Sequence, residues 1–371
     1  MYYEVGMENV TPFVRFDNRY LAAHHAATNN LDMRFNMYDS AFTKCDWSKR
    51  PSQSWDELLD IRAHQIAAKG KPIVLQFSGG TDSYTIYKVF ERNNIHIDAL
   101  FLRRRPDQAD VYKEVMDLFT AGLYDKTTKI IVSDDYDKLM LEAYDSPDWI
   151  WSKGAKQNFG MLGGDGVAYD YVSKIIGTDD YISIVGFEKP RLRITTDGVY
   201  SYQADNNYGK IMGYSGIDCF YISPDLPELH IKQSYMMLDY IKSKCQAAVS
   251  PADVMHYNDM HHPTKFHWHE YSINACGRFG DINVSPIQHV GDFATTLIIP
   301  ESGKFTGSEY TGRPARWFQS LFNSNRLIVD NYLSGYIEFL NDAAGKFLVQ
   351  GPDKLNMRQF NSIGYKLKFN E

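Results

Sequence analysis

Seven residues constrain this chain more than any others: Phe77-Ser78-Gly79-Gly80-Thr81-Asp82-Ser83, placed where a short apolar run gives way to a helical pattern. The run Ile73-Val74-Leu75-Gln76-Phe77 has the length of a strand, and residues 84–92 set Ile86, Val89 and Phe90 at helical spacing. Two adjacent glycines let a backbone turn tightly and approach a ligand with no Cβ in the way. The helix that follows offers unsatisfied N–H groups and the positive end of its dipole. Ser78, Thr81 and Ser83 add hydroxyl groups, and Asp82 adds a carboxylate that can hold a metal ion or orient a donor. A turn of this kind at the carboxyl end of a parallel strand lies where open α/β sheets bind their ligands.

The neighbouring sequence supports that frame. Short apolar runs at 97–102, 129–133 and 181–186 read as further strands. Helical stripes fall between them: Val111, Val115, Leu118 and Phe119; then Tyr136, Leu139, Met140 and Ala143; then residues 171–176. Strands separated by helices of this length need crossovers, so the expected fold class is α/β, a mainly parallel open sheet with helices on both faces. Upstream, Ser54-Trp55-Asp56-Glu57 has the form of a capping box. The helix it opens carries Trp55, Leu58, Leu59, Arg62 and Ile66 on one face and ends at Gly70 and Pro72. Residues 1–53 are polar, aromatic and weakly periodic. Beyond about residue 195 the alternation fades. Residues 235–244 read as a helix, 251–286 as irregular, and 316–322 and 332–344 as helical. The expected organisation is an N-terminal extension over 1–70, the α/β domain over 71–245, and a mixed, largely helical C-terminal region over 246–371 that shapes the acceptor site.

Composition narrows the function classes. Of 371 residues, 44% are hydrophobic and 23% charged, enough apolar material for a sizeable core. A net charge of −7 disfavours a protein whose main work is gripping phosphate backbones. The four cysteines, Cys45, Cys219, Cys245 and Cys276, form no CxxC pair, so neither a disulfide framework nor a zinc finger is expected. No run approaches the length needed to span a bilayer, and no secretory signal is visible at the N-terminus, so a cytoplasmic protein is expected.

The loop lacks the GxxxxGK[ST] pattern of a Walker A site and the GxGxxG pattern of a dinucleotide site. It resembles instead the SGGxDS loop of the N-type ATP pyrophosphatases, and all six motif positions from Ser78 to Ser83 match. These belong to the adenine nucleotide α-hydrolase superfamily, with a HUP/Rossmann-like fold, which includes asparagine, GMP and NAD synthetases and tRNA-modifying ligases and thiolases. The resemblance covers residues 71–195, or up to 245 with the tail of the sheet. It implies ATP and Mg²⁺ as cofactors and cleavage of ATP to AMP and pyrophosphate. Ser78, Gly79, Gly80, Thr81 and Ser83 would then surround the β- and γ-phosphates, and Asp82 would serve the metal. Main-chain groups near Phe101 and Leu102 would meet adenine. After the fourth strand, Lys189 and Arg191 would stabilise charge on the α-phosphate, against the alternative of a solvated turn held by Pro190.

The acceptor is less determined. An asparagine-type glutaminase needs a cysteine at position 2, where this chain has Tyr2. Thiolases need paired cysteines. That leaves an adenylating ligase or amidating enzyme, whose acceptor oxygen is activated for attack by an amine or ammonia. A sulfonucleotide reductase or sulfur-transfer enzyme stands second, on the faint echo in Asn274-Ala275-Cys276-Gly277. A non-catalytic adenine-nucleotide sensor on the same fold is the third reading. The expected partner is a small molecule or a nucleotide. Arg103-Arg104-Arg105 admits nucleic acid as the weaker choice, no membrane is expected, and a homo-oligomer stays open. A second glycine loop, 160–166, carries Asp165 as a helix cap. Pro224 to Leu229 reads as a turn opening a helix. His256, His261, His262, His267 and His269 read as surface or hydrogen-bonded histidines ahead of a zinc site.

Overall fold

A computed structural model describes residues 1–17, 19–78, 80–103, 116, 128–133, 164–186, 189–205, 216–245, 248–261, 270–276, 282–286, 297–298, 348–351, 354–357 and 362–370. The helices expected around 107–119, 136–143, 316–322 and 332–344 lie outside these residues.

The N-terminal extension is more ordered than its weak periodicity indicated. Strands β1 (Tyr2–Met7) and β2 (Thr11–Phe16), helix α1 (Arg19–Thr28) and strand β3 (Asp32–Asn36) form an antiparallel sheet in the order β2-β1-β3 with α1 against it. Tyr3 and Val5 alternate into its core with Phe35, a period-2 signal too short to stand out among polar neighbours. A single turn, α2 (Asp39–Phe42), follows. Helix α3 (Trp55–Ala67) then begins at the expected capping box. The Glu57 N–H donates to Ser54 Oγ at 3.2 Å, and the Ser54 N–H donates to Glu57 Oε2 at 2.6 Å.

The chain then builds the parallel sheet. Strand β4 (Ile73–Gln76) leads into α4 (Thr81–Arg92), followed by β5 (Ala99–Arg103), β6 (Lys129–Ser133), α5 (Gly164–Ile176) and β7 (Ile182–Val185). Next come a hairpin, β8 (Arg191–Thr195) and β9 (Gly198–Tyr202), and a last short strand, β10 (Ile217–Cys219). The order β10-β7-β4-β5-β6 is parallel throughout. Alternate side chains of the strands enter separate cores. Ile73, Leu75 and Leu100 pack with Leu58, Ile66, Ile86 and Phe90 from α3 and α4. Val74, Ala99 and Phe101 pack with Val172 of α5 on the opposite face. The fold is thus α/β, with helices on both faces of a parallel sheet. Arg62, expected on the apolar stripe of α3, is buried because it reaches across to β10. Its guanidinium and the Lys69 ammonium share the Asp218 carboxylate, and its Nε–H donates to the Phe220 carbonyl at 3.3 Å.

Two expectations change. The hairpin β8–β9 spans the point, about residue 195, beyond which the alternation was read as fading; Thr195, Asp197 and Gly198 close a turn in which Thr195 Oγ1 donates to Asp197 at 2.5 Å. Residues 251–286, read as irregular, contain helix α7 (Pro251–His261) and strands β11 (Glu270–Cys276) and β12 (Ile282–Pro286). The helix follows an overlooked box in which Asp253 accepts the Ser250 N–H at 2.8 Å and its own N–H reaches Ser250 Oγ at 3.3 Å. Each strand carries an Asn, Asn274 in β11 and Asn283 in β12, a residue that local propensity assigns to turns. The remaining elements are α6 (Pro227–Lys244), the small strands β13 (Leu297–Ile298), β14 (Leu348–Gly351) and β15 (Lys354–Met357), and β16 (Tyr365–Leu367). A second, antiparallel sheet runs β12-β11-β8-β9-β16 and so pairs strands from both sides of residue 245. Among the described residues, no helix is long and apolar enough to cross a membrane.

Where α6 meets this second sheet, His230 is buried between Phe42 and Trp47, with ring centroids at 5.1 and 5.3 Å. Its Nε2 lies 3.2 Å from Ser201 Oγ, and Ser201 bonds Ser234 at 2.7 Å. Burial lowers the imidazole from its ordinary value to about 3. The unfolded chain therefore takes up the proton first, and the stabilisation is complete above about pH 6.5 and is lost as the pH falls toward the folded value. Between pH 7 and pH 5 the wild type is expected to lose about 2 kcal/mol more unfolding free energy than His230→Gln. Urea titrations of both proteins at the two pH values measure the difference.

Candidate functional site

Strand β4 is the first strand of the parallel sheet in sequence and the central one in space. The chain adds β5 and β6 on one side of it, then crosses over to add β7 and β10 on the other. Connections leaving the carboxyl ends of β4 and β7 consequently diverge, which opens a crevice at the point where the strand order reverses. The described parts of both segments singled out for chemistry lie there: Ser78 and Gly80 after β4, and Gly186, Lys189 and Pro190 after β7.

The loop is held from within. Ser83 is buried, and its Oγ accepts the Ser78 N–H at 3.2 Å and donates to the Gly80 carbonyl at 3.2 Å. The Gly80 N–H donates to Ser78 Oγ at 3.4 Å, leaving the Ser78 side of the loop exposed. Gly80 is the N-cap of α4, with extended backbone and no side-chain cap, so the amides of the first turn receive no capping oxygen from it. Gly79 and the Thr81 side chain lie outside the described residues.

The two loops are joined by one ion pair. Lys189 Nζ lies 2.7 Å from Asp82 Oδ2. The lysine side chain is only 6% exposed and the carboxylate 27%. The other carboxylate oxygen, Asp82 Oδ1, is buried without a hydrogen-bond partner among the described residues. A third segment completes the arrangement. Tyr221, just beyond β10, donates its phenolic O–H to the Asp82 carbonyl at 2.9 Å, and its ring lies 4.9 Å from Lys189 Nζ. The ring is itself fixed by stacking on Trp55 at 6.2 Å, and Gln233 Nε2 donates to the Tyr221 carbonyl at 2.8 Å. Gly186 allows the close approach of the loops, because a Cβ there would stand 3.1 Å from Ile86 Cδ1 and 3.4 Å from both Asp82 Cβ and the Ser83 nitrogen.

The other predicted residues are distributed as follows. Arg191 does not lie in a loop: it opens β8, paired with Tyr202 and Ser272 in the second sheet, because the chain resumes an extended course directly after Pro190. Phe101 and Leu102 are buried in β5, and the Phe101 carbonyl accepts the Phe77 N–H at 2.9 Å. Arg103 ends β5, while Arg104 and Arg105 lie outside the described residues. Gly164, Asp165 and Gly166 form the first turn of α5, so Asp165 stands inside that helix. Pro227 begins α6, as the turn at 224–229 predicted. His256 and His261 lie on α7, and His262, His267 and His269 are outside the described residues. Among the described residues no group of three or more His, Cys, Asp or Glu could hold a metal ion. Cys276 ends β11.

Sequence reasoning missed Tyr221. The only signal was a short apolar run, Phe220-Tyr221-Ile222, after a three-residue strand too brief to recognise. No family model matches this chain, and no curated protein matches it.

Two substitutions test the geometry. Gly186→Val is expected to force the loops apart and cost about 1–3 kcal/mol of unfolding free energy. Tyr221→Phe, which removes one hydrogen bond and leaves the ring, is expected to cost about 1 kcal/mol. Chemical denaturation reads both, and a Gly186→Val protein as stable as the wild type would contradict the close approach described.

Proposed function

We propose that the crevice between the β4 and β7 loops binds ATP, and that the chain is an ATP pyrophosphatase-type enzyme with a HUP/Rossmann-like nucleotide domain. It would cleave between the α- and β-phosphates to activate an acceptor oxygen for attack by an amine or ammonia. The observation that carries this reading is the meeting of Asp82 and Lys189 at the strand-order reversal. There, a carboxylate with one buried oxygen unpartnered among the described residues, a buried ammonium and a helix N-terminus without a side-chain cap from Gly80 stand together.

The residues present fit a divalent cation: Asp82 Oδ1 is a buried anionic oxygen with no donor among the described residues, and a hard cation prefers oxygen ligands. Mg²⁺, when bound, would neutralise the leaving pyrophosphate. The chain's own contribution is positioning and charge. The amides that open α4 face the phosphates and favour negative charge. Ser83 keeps the loop in shape through its bonds to residues 78 and 80, and the Ser78 hydroxyl, 3.2 Å from Ser83 Oγ, belongs to the same network. Lys189 supplies a cation in a partly desolvated setting, where its attraction for developing phosphate charge exceeds that in open water. Arg191, on β8, belongs to the wall of the second sheet, and its place in the reaction is as a contact for the acceptor or the α-phosphate.

Incubation with α-labelled ATP, Mg²⁺ and a panel of carboxylate and nucleobase acceptors tests the reading. The wild type is expected to release AMP and pyrophosphate. Asp82→Ala is expected to lower AMP release by at least about a hundredfold while melting as a folded protein. Unchanged AMP production by Asp82→Ala would overturn the assignment. Tight binding of ATP without turnover across the panel would favour the nucleotide sensor.

A further inference from the structure

The Asp82 carboxylate already carries a cation belonging to the chain. Lys189 Nζ sits 2.7 Å from Oδ2, almost wholly buried, with the Tyr221 ring centroid 4.9 Å away. Tyr221 cannot drift from this position independently of the loop, because its hydroxyl is bonded to the Asp82 carbonyl and its ring stacks on Trp55. The second oxygen, Oδ1, faces no donor among the described residues. A divalent ion approaching Oδ1 would therefore stand within a few ångströms of a fixed ammonium. At such a distance the repulsion between a double and a single positive charge is substantial even at high effective dielectric. A polyphosphate changes the balance, since its oxygens accept both the metal and the ammonium, and a lysine on a flexible four-carbon stem can turn from one anion to the other.

We infer that Lys189 is the resident counter-cation of Asp82 and makes metal binding at this site conditional on the nucleotide, with Tyr221 as the residue that positions it. The site excludes a free divalent cation and accepts the same cation together with a polyphosphate. This rests on the reading of Asp82 as the metal-binding carboxylate. It adds a second task for Lys189, one exercised before any reaction and read by binding alone. The geometry makes the site an AND gate: the carboxylate is released to the metal only when another anion takes the ammonium.

The test uses Mn²⁺ as the probe ion and α,β-methylene-ATP as the non-cleavable nucleotide, with binding followed by calorimetry and by the Mn²⁺ electron spin resonance signal. Without nucleotide, Lys189→Met is expected to bind Mn²⁺ at least about tenfold more tightly than the wild type, and Lys189→Arg to restore the exclusion. In the wild type, α,β-methylene-ATP is expected to tighten Mn²⁺ binding at least about tenfold, and in Lys189→Met that enhancement is expected to shrink. Equal affinity of wild type and Lys189→Met for Mn²⁺ alone would overturn the inference. So would a wild type whose Mn²⁺ affinity is the same with and without a nucleotide that binds, a measurement that needs no variant. Failure of the nucleotide to bind at all would instead remove the proposed function, and the comparison of Mn²⁺ alone in the two proteins would still decide the role of Lys189.

Discussion

The parallel sheet is arranged around the need of one short strand, β4, to have its backbone hydrogen bonds completed on both sides. It is apolar and buried, so neither edge can be left to water. Its neighbours β5 and β7 run parallel to it, and a parallel neighbour can be reached only through a crossover. The chain completes one edge first and the other later. The order β10-β7-β4-β5-β6 records that sequence of events, and the divergence of the two connections beside β4 is its geometric consequence.

The crevice is then closed on itself by charge. Lys189 arrives from the β7 side and Asp82 from the β4 side, while Tyr221 reaches in from the end of β10 and braces both. Three consecutive strands of one half of the sheet thereby meet at a single carboxylate. The Arg62–Asp218–Lys69 cluster does comparable work between α3 and β10, tying the helix that precedes the sheet to its far edge. Direct continuation from Pro190 into β8 has a further effect. The strand that carries Arg191 and Arg193 is the middle of the antiparallel sheet, so the Asp82–Lys189 pair and the second sheet are only a few residues apart along the chain.

Much of the parallel sheet was legible because its signals are local. A strand-length apolar run, two glycines and a helical stripe identify β4, the loop and α4 without reference to anything distant, and Ser54 with Glu57 marks the start of α3 within four residues. The second sheet was hidden for the opposite reason. β8 alternates over only five residues, β9 does not alternate, and β11 and β12 each carry an Asn, so their place in one sheet comes from the distant pairings of β8 with β11 and of β9 with β16. The N-terminal sheet was obscured likewise, with Tyr3 and Val5 too few to establish a period. Arg62 looked like a polar interruption of an apolar stripe until its partner on β10 was known.

The sequence alone determined that the chain has an α/β core and that a glycine-containing turn joins its first parallel strand to a helix. Those are consequences of backbone freedom, helix dipole and periodicity, which act over a few residues. Only the tertiary structure decided that Lys189 rather than Arg191 is brought to Asp82, that Tyr221 holds them both, and that one carboxylate oxygen is buried without a donor among the described residues. These depend on which strands become neighbours. Neighbour choice is set by the burial of two faces at once, a condition that no local stretch of sequence contains.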